Sequence, residues 1–301
     1  MWLTVHLSLD AVRTLAAIVD AGTFEAASRA LRVTPSAVSQ RVRSLEQQVG
    51  RVLLIRSKPI RATEAGAALV RLARQLALVE HDAMHELGLE ERTSTALPLA
   101  VNADSLATWF LPAVAGVVER HRLELRLHRD DQSLTTALLE SGSVMAAITS
   151  TPEPVAGCIS RPLGAMRYVA VSSPGFRDLH VAGRPRGQWM QDAPVVHFDR
   201  HDEVQRDHVR NHGVDPSAPP FHVVPSSNDF ARAIELGLGW GMLPEAQSAP
   251  LLSRGAVVTL GGEPIDVPLH WQRWAIDSPI ITAVEDAIVS AARRELRPLL
   301  P

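Results

Sequence analysis

Cysteine is nearly absent from this chain, and its scarcity limits the covalent chemistry that the fold can use. Among 301 residues there is one cysteine, Cys158, so no disulfide can form within the chain and a reducing cytosol is the expected environment. The first residues, MWLTVHLSLD, lack the basic and long apolar segments of a secretory signal peptide. No apolar run approaches the roughly 20 residues that cross a bilayer. We therefore expect a cytoplasmic protein without membrane contact.

Motifs of common catalytic and metal-binding sites are also missing from the sequence. It contains no nucleophile elbow, no phosphate-binding loop, no HExxH and no Cys/His ligand spacing. The glycines at 237, 239 and 241 follow a predicted helix instead of opening one, so they do not resemble a nucleotide-binding loop. We expect no enzyme activity, no cofactor and no metal.

Charge is divided unevenly along the chain, although the net charge is only −3. Residues 1–62 contain nine Arg or Lys and four Asp or Glu, a net charge of +5, and the remainder is left with −8. A basic N-terminal module joined to an acidic body is typical of a DNA-binding protein with a separate regulatory part. The length and a hydrophobic fraction of 46% suit a globular chain of two or three domains.

The stretch from Thr23 to Gly50 predicts two helices joined by a tight turn. Thr23 can cap the first helix, and Thr34 followed by Pro35 marks the start of the second. The second helix has an apolar stripe made of Val38, Val42, Leu45 and Val49. Its opposite face carries hydroxyl, amide and guanidinium groups that can reach base edges, as in a helix-turn-helix. An ordinary helical hairpin with a solvated polar face is the alternative.

A predicted β-hairpin with basic residues follows this pair of helices. It is typical of the wing of a winged helix, which contacts phosphates or the minor groove. The predicted DNA-binding residues of the turn, second helix and wing are Arg32, Thr34, Pro35, Ser36, Ser39, Gln40, Arg43, Arg56, Lys58 and Arg61.

A first helix from Ser8 to Asp20 and a long helix from Thr63 to about Leu87 flank this region. The long helix has apolar residues spaced mostly by three and four, which favours pairing with its copy in a second subunit. The predicted dimerisation residues are Leu69, Leu72, Leu76, Val79 and Ala83. A homodimer, or a tetramer built from dimers, also suits two DNA half-sites about 34 Å apart. Packing of this helix on its own C-terminal domain is the alternative.

Strand and helix patterns alternate after the polar segment at 88–96, which predicts βαβ units and a parallel sheet. The predicted domains are a winged helix-turn-helix at 1–62, a linker and dimerisation helix at 63–90, and an effector-binding domain at 91–301. Within the last domain, one lobe is expected at about 91–163 and 267–301, and the other at about 164–266.

The ends of four predicted strands are the expected ligand site, because doubly wound sheets bind ligands beyond the carboxyl ends of their strands. The candidates are Asn102, Asp104, Ser105, Thr149, Thr151, Asp199, Asp202, Ser227 and Asp229. The start of a helix can bind the carboxylate of an amino acid, and acids nearby can bind its positively charged groups, since a buried ammonium requires a partner charge. This combination suits a basic amino acid. Each acid taken alone can instead cap a helix. Arg200 can pair with these acids or bind an effector carboxylate.

The N-terminal residues resemble those of the LysR-type transcriptional regulators. The matching residues are Phe24, Ala26, Ala27, Leu31, Thr34, Pro35, Ser36, Ala37, Val38, Ser39, Val42, Leu45, Glu46 and Gly50. The segments RSKPIRAT, NADSLATWFLPAV and PSSNDFARAIELGLGWGMLPE are similar to the ArgP/LysG subgroup, regulators of lysine and arginine export. The resemblance implies an α+β winged helix-turn-helix, a long linker helix and an α/β two-lobed effector domain like the periplasmic binding proteins.

The same resemblance implies a sequence-specific regulator that responds to lysine or arginine and controls an amino acid exporter gene. Its expected partners are a double-stranded DNA operator, the small effector and, if it is an activator, RNA polymerase. A sequence-tolerant architectural DNA-binding protein with an assembly domain is the main alternative. An enzyme with an accessory DNA-binding module is a third.

Overall fold

The computed structural model describes residues 7–87, 95–129, 132–200 and 202–299. The predicted polar segment at 88–96 lies outside these ranges except for its last two residues. The chain forms two compact units: the first comprises Met1–Val101, Ala115–Arg161 and Trp271–Ala287, and the second comprises Asn102–Val114, Pro162–His270 and Ile288–Pro301. Within the described ranges, no helix combines the length and apolar character needed to span a membrane.

Three short helices open the first unit, and each begins directly after a capping hydroxyl. They are α1 (Leu9–Ala21), α2 (Phe24–Leu31) and α3 (Pro35–Val49). The side chains of Ser8, Thr23 and Thr34 each accept a hydrogen bond from the backbone N–H three residues later. Arg32, in the turn between α2 and α3, has a left-handed backbone with φ of 54°. The predicted pair of helices and their tight turn are confirmed.

A wing of two short strands follows α3. The strands β1 (Leu54–Ile55) and β2 (Arg61–Ala62) pair antiparallel. The backbone N–H of Ile60 donates to the carbonyl oxygen of Gly22 at 2.9 Å, which fixes the wing against the end of α1. The buried residues of α1, α3 and the wing form one apolar cluster, including Val12, Leu15, Ile18, Val38, Val42, Leu45, Leu53 and Leu54. We call α1 to α3 and this wing the head.

The long helix α4 (Glu64–Glu86) packs along the head through part of its surface. Val70 and Ala73 belong to the head's buried cluster, and Leu69 and Leu72 pack against it. The first half of this helix therefore has a core to join within its own chain. The residues predicted to form one apolar stripe are therefore divided: Leu69 and Leu72 pack against the head, whereas Val79 and Ala83 are exposed.

The remaining elements alternate between strands and helices. In chain order they are β3 (Thr95–Val101), α5 (Ala103–Ser105), a π-helical turn (Leu106–Phe110), α6 (Leu111–Arg120), β4 (Leu123–Arg129), α7 (Gln132–Glu140), β5 (Ala146–Thr149), β6 (Cys158–Ser172), α8 (Pro174–His180), α9 (Arg186–Asp192), β7 (Val195–His197), α10 (Glu203–Asn211), β8 (Phe221–Val223), α11 (Ser227–Glu235), β9 (Gly241–Pro244), α12 (Glu245–Ser253), β10 (Val258–Thr259), β11 (Ile265–Trp274) and α13 (Pro279–Glu295).

Three strands of the first unit pair in parallel, as the alternating pattern predicts. β3 lies between β4 and β5 and pairs with both in parallel, with Leu99 opposite Leu127 on one side and Ala146 on the other. This arrangement places the carboxyl ends of these strands at one edge of the sheet.

The second unit departs from the expected parallel arrangement. β6 pairs antiparallel with β9 and with β10, whereas β7 and β8 form a small parallel pair. The prediction of a parallel sheet was therefore wrong for β6, because strand and helix alternation does not set the direction of a strand that runs from one unit into the other. The core here includes Val171, Val196, Phe230, Ile234 and Leu243.

Three helices of the second unit, α8, α9 and α12, were not predicted. The first two have only 7 residues each, too few for an apolar period to be read. α12 contains Pro250 in its interior, which normally argues against a helix. These helices are held by tertiary packing, as the burial of Phe176 and Trp189 shows.

Candidate functional site

The outward face of α3 is polar and exposed. Its exposed residues include Pro35, Ser36, Gln40 and Arg43, and Ser39 is half-buried. On the inward face Val38 and Leu45 are completely buried and Val42 is 3% exposed. The buried stripe holds the helix rigidly, so its polar face is available to a partner along most of its length.

The turn before α3 is held by Thr34. Its hydroxyl accepts from the backbone N–H of Ala37 at 3.2 Å and lies 3.0 Å from the hydroxyl of Ser36. Arg32 is exposed beside it. Thr34 therefore caps the helix and orients Ser36 at the same time.

The wing carries exposed positive charge next to α3. Arg56, Lys58 and Arg61 are exposed, and the wing is tied to α3 because a carboxylate oxygen of Glu46 accepts from the backbone N–H of Leu53 at 2.8 Å. No ion pair to these three side chains, nor to Arg32 or Arg43, occurs in the part of the chain that the structure describes. Unpaired cations on one surface suit phosphate groups of DNA.

Arg41 of the same helix differs from these residues. Its guanidinium lies 3.8 Å from the carboxylate of Asp10 and donates to the hydroxyl of Thr14 at 3.3 Å. This arginine holds α3 against α1, in keeping with its absence from the predicted DNA-binding set.

In the second unit, a buried carboxyl group forms the centre of a polar cluster. The hydroxyls of Tyr168 and Ser227 each donate to one carboxylate oxygen of Asp104, both at 2.6 Å. Gln247 donates to the hydroxyl of Ser227 at 2.9 Å. Four side chains from four separate elements therefore form one network.

Burial controls the ionisation of this network. It raises the pKa of Asp104, while the hydrogen bonds from Ser227 and Tyr168 lower it and the charge of Asp202 raises it again. Burial and the neighbouring carboxyl also raise the pKa of Tyr168 well above its usual value. Tyr168 therefore stays a hydrogen-bond donor at neutral pH. A cation bound next to Asp104 would stabilise the carboxylate form of Asp104.

Asp202 is the second acid near this cluster. One of its oxygens accepts from the backbone N–H of Phe198 at 2.7 Å and from the side chain of Gln205 at 2.9 Å. Gln205 in turn accepts from the backbone N–H of Met242 at 2.7 Å. Asp202 stands at the start of α10 but makes no capping bond to it. Asp202 therefore occupies the predicted N-cap position of α10, but its carboxylate bonds to the preceding loop and to the side chain of Gln205 instead of capping the backbone of the helix.

A small cavity of about 40 Å³ lies against both acids. Its lining includes Asp104, Asp202, Tyr168, Phe198 and Phe230, and no Arg, Lys or His among the described residues lines it. Carboxyl groups and aromatic rings together favour a cation. The volume holds one small head group but not a whole amino acid.

Two further polar residues of the second unit are buried without partners. The side-chain oxygens of Asn102 and Ser105 have no hydrogen bond to any described residue. Asn102 occupies the N-cap position of α5 without a side-chain capping bond. Buried polar atoms without partners indicate a place where a ligand can bind.

The structure divides the other candidates between the two units. Asp199 is half-buried, and Asp229 is exposed in the first turn of α11; both belong to the second unit. Thr149 and Thr151 belong to the first unit, where the hydroxyl of Thr149 accepts from the backbone N–H of Thr151 at 3.1 Å.

Sequence reasoning missed three members of the polar cluster: Tyr168, Gln205 and Gln247. Tyr168 is the only tyrosine of the chain and lies within a predicted strand, MRYVAVSS, which is a signal that could have been used. Gln205 and Gln247 lie on helices, and nothing in their local sequence points to a site.

Comparison with known families decides the relationship of the chain. Residues 9–67 match the model of bacterial regulatory helix-turn-helix proteins of the lysR family, and residues 90–276 match the LysR substrate binding domain. The chain belongs to the LysR family. Its expected fold class and its function as a DNA-binding transcriptional regulator are thereby confirmed.

Individual relatives of this LysR-family regulator match it over nearly their full length. It is 45% identical to the lysine export transcriptional regulatory protein LysG of Corynebacterium efficiens, over 94% of this chain and 97% of that one. The crystal structure of ArgP from Mycobacterium tuberculosis has a TM-score of 0.83 at 42% identity, covering 96% of this chain and 98% of that one.

A third relative carries a ligand. Full-length LysG from Corynebacterium glutamicum with bound effector Arg has a TM-score of 0.76 at 41% identity, covering 97% of this chain and 100% of that chain. The predicted membership of the ArgP/LysG subgroup is confirmed by these similarities.

Proposed function

We propose that this regulator senses a basic amino acid, arginine or lysine, and controls a gene for an amino acid exporter. The observation that carries the proposal is the small cavity of the second unit, whose described lining residues include two carboxyl groups and no cationic side chain. An ammonium or guanidinium group supplies the missing positive charge. The LysG protein that was solved with arginine supports the same class of ligand.

The proposed effector residues fall into two groups by their chemistry. Asp104 and Asp202 hold the cationic group. The same unit contains three further proposed effector residues, Ser227, Asp199 and Asp229. Asn102 and Ser105, whose side-chain oxygens are buried without a partner among the described residues, bind polar groups of the effector. Thr149 and Thr151, in the first unit, stay predicted effector residues.

For DNA we propose that α3 enters the major groove and that the wing contacts the backbone. The recognition residues are Ser36, Ser39, Gln40 and Arg43. The residues at the start of α3, Arg32, Thr34 and Pro35, orient its first turn toward the DNA. Arg56, Lys58 and Arg61 of the wing bind phosphates. The exposure of the charged residues and their lack of ion pairs within the described ranges support this assignment.

We further propose that two chains pair through α4. On this helix Leu69, Leu72 and Leu76 are half-buried, Ala83 is exposed and Val79 is 50% exposed. Leu69 and Leu72 also pack against the head, so the apolar surface left open to a partner lies around Val79 and Ala83. A homodimer would present two heads to two half-sites of one operator, and dimers can assemble into a tetramer.

The remaining parts of the proposal concern the whole chain. It works in the cytoplasm without catalytic activity, and contacts RNA polymerase if it activates transcription. Its working parts are the DNA-binding domain at 1–62, the dimerisation helix at 63–90 and the effector domain at 91–301. The homologues that match it are transcriptional regulators, which supports a role other than catalysis.

Binding of labelled DNA to the Arg43→Ala variant tests the DNA part of the proposal. We expect a loss of operator affinity of about 1–3 kcal/mol with little loss on random DNA, since a bidentate arginine–guanine contact carries sequence information. Arg293→Ala, which removes an exposed arginine near the end of α13, is the control. If wild-type protein binds operator and random DNA equally, the regulator is an architectural protein and not a sequence-specific one.

A thermal-shift screen over the twenty amino acids tests the effector part. Arginine or lysine should raise the melting temperature most, because ligand at 100 times its Kd stabilises the folded state by about 2.7 kcal/mol. An acidic or apolar amino acid giving the largest shift would contradict the proposed ligand class.

A further inference from the structure

The first unit contains a second, much larger cavity of about 830 Å³. Its walls come from α1, α4, β3 and the segment from the end of α6 through β4. We propose that this cavity binds a small polyanion with two or three negative charges, such as a tricarboxylate or a diphosphate. This second ligand would act in addition to the basic amino acid.

The lining of the cavity has an excess of positive charge. Among the described residues, five arginines line it, Arg13, Arg74, Arg120, Arg122 and Arg126, against two acids, Asp20 and Glu80. Three histidines line it as well. With the histidines counted as neutral, five and two leave three positive charges among the described lining residues, and Glu124, outside the lining, pairs with Arg126 at 3.0 Å. A ligand with two or three negative charges is therefore complementary.

The two acids are already engaged by three of the arginines. Glu80 accepts from Arg13 at 2.6 Å, and Asp20 pairs with Arg74 and lies 3.8 Å from Arg126. Arg120 is exposed and forms no ion pair with any residue that the structure describes. The site therefore retains a cationic group that an anionic ligand can pair with.

The environment of Arg74 also indicates that the cavity suits a negatively charged ligand. Its side chain is 10% exposed, and its Nη1 is buried without a hydrogen-bond partner among the described residues. Burial lowers the pKa of Arg74, the pairing with Asp20 raises it, and the charge of Arg126 lowers it again. A buried guanidinium with an unused donor is costly, and negative charge in the adjacent cavity offsets that cost.

The size of the cavity also fits a metabolite better than a single ion. Small-molecule sites commonly occupy about 300–1,000 Å³, a range that includes this cavity. The space exists because short side chains line it, including Ala16, Ala17, Ala73, Ala77 and Ala96. Arginine side chains at its edge can reach inward to a ligand with several oxygens.

The position of the cavity gives such a ligand a regulatory consequence. A ligand that touches the head, α4 and the strands of the first lobe at once favours the conformation in which these walls are close together. Ligands shift conformational populations in proportion to their differential affinity. We therefore expect the polyanion to change operator affinity even when the amino acid effector is absent.

Isothermal titration of the full-length chain with citrate and, separately, with pyrophosphate tests the proposal. Ionic strength is held constant with potassium chloride, so that general screening is the same in every titration. We expect saturable binding of at least one probe with one site per chain. Arg120→Gln should weaken it about tenfold or more, the loss of one charge-assisted contact. Citrate and pyrophosphate distinguish a carboxylate ligand from a phosphate ligand.

Two further variants keep this test specific. Arg293→Gln removes another exposed arginine from the last turn of a helix and should leave anion binding unchanged. Ala77→Phe places a ring in the cavity and should abolish anion binding. Arginine binding at the effector site should persist in all three variants, so failure of the polyanion site is distinguishable from failure of the amino acid site.

Three results would overturn the proposal. One is the absence of saturable heat with either probe. Another is equal weakening by Arg120→Gln and Arg293→Gln, which would indicate general charge screening. The third is a loss of random-DNA binding in Arg120→Gln with anion binding intact, which would make this surface a DNA contact.

Discussion

At the scale of single residues, Asp104 has the most unusual environment of the proposed effector site. Its carboxyl group is buried, and its neighbours are two hydroxyl donors instead of an arginine or lysine. Hydroxyls stabilise a carboxylate less than a cation does, so burial still raises its pKa. This arrangement leaves the charge of Asp104 to be balanced by a bound ligand.

Replacement of this carboxyl by an amide tests its role. In Asp104→Asn, which keeps the size of the side chain, we expect arginine affinity measured by calorimetry to fall about tenfold or more, since the paired negative charge is gone. Asp178→Asn, at an exposed acid on α8, serves as the control. Unaltered arginine affinity in the Asp104 variant would refute its assignment as a cation ligand.

His208 is a buried residue whose titration should affect stability. It packs against Trp240 and His212, with ring centroids 5.7 and 4.6 Å away. Burial, assisted by the charges of His212 and Arg186, lowers the pKa of His208 from 6.5 to about 4. Between pH 4 and pH 6.5 the His208 side chain binds a proton in the unfolded chain but not in the folded chain. The contribution of neutral His208 to the free energy of unfolding is therefore complete above pH 6.5 and is lost as the pH falls toward 4.

We expect His208 to account for a loss of about 2 kcal/mol in the free energy of unfolding between pH 7 and pH 5. Urea titrations at the two pH values measure this loss. His208→Phe should reduce the pH dependence, whereas His222→Phe, at an exposed histidine of β8, should leave it as in the wild type. An identical pH dependence in both variants would exclude His208 as the titrating group.

At the scale of elements, the wing depends on close packing with α4. A Cβ at Gly66 would lie 2.0 Å from the carbonyl oxygen of Leu53, so only glycine permits this approach. The hydroxyl of Thr63 also donates to the carbonyl oxygen of Val52 at 2.8 Å. Together with the bond from Ile60 to Gly22, these contacts fix the wing on both sides and hold its basic residues beside α3.

The wing and α3 should contribute differently to DNA binding. Arg56→Ala removes a phosphate contact, so operator and random DNA should be weakened by similar factors. The slope of log affinity against log salt should become shallower by about 0.9. Fluorescence anisotropy over a salt series measures both quantities, with Arg43→Ala as the comparison that alters operator preference. A salt slope equal to that of the wild type would show that Arg56 does not contact phosphate.

At the scale of the whole molecule, α4 has two distinct apolar surfaces. Val70 and Ala73 are buried in the head, whereas Val79 is 50% exposed on another side of the helix. A helix that is apolar on more than one side generally packs against more than one partner. The exposed surface therefore fits a second subunit.

Introducing a charge into that surface tests the proposed dimer. We expect Val79→Glu to shift sedimentation from dimer toward monomer, because two like charges would face each other across the two-fold axis. Leu179→Glu places the same charge at a leucine of α8 that is 77% exposed and should leave the association state unchanged. Dimers of normal affinity in the Val79 variant would exclude this part of α4 from the interface.

Local sequence was sufficient to determine the head. The capping residues and apolar spacings that define α1, α2 and α3 act within a few positions of one another, so they can be read without knowledge of the rest of the chain. The matching family residues in the same stretch identified its relationship correctly. The wing and the start of α4 were also predicted from local signals.

The tertiary structure alone decided the composition of the polar cluster and the use of α4. Ser227 lies 123 positions from Asp104, and Tyr168 lies 64 positions from it. Hydrogen bonds over such distances depend on how strands and helices pack, which periodicity does not encode. For the same reason, only the folded chain shows which apolar stripe of α4 is buried in the head and that five arginines gather around one cavity.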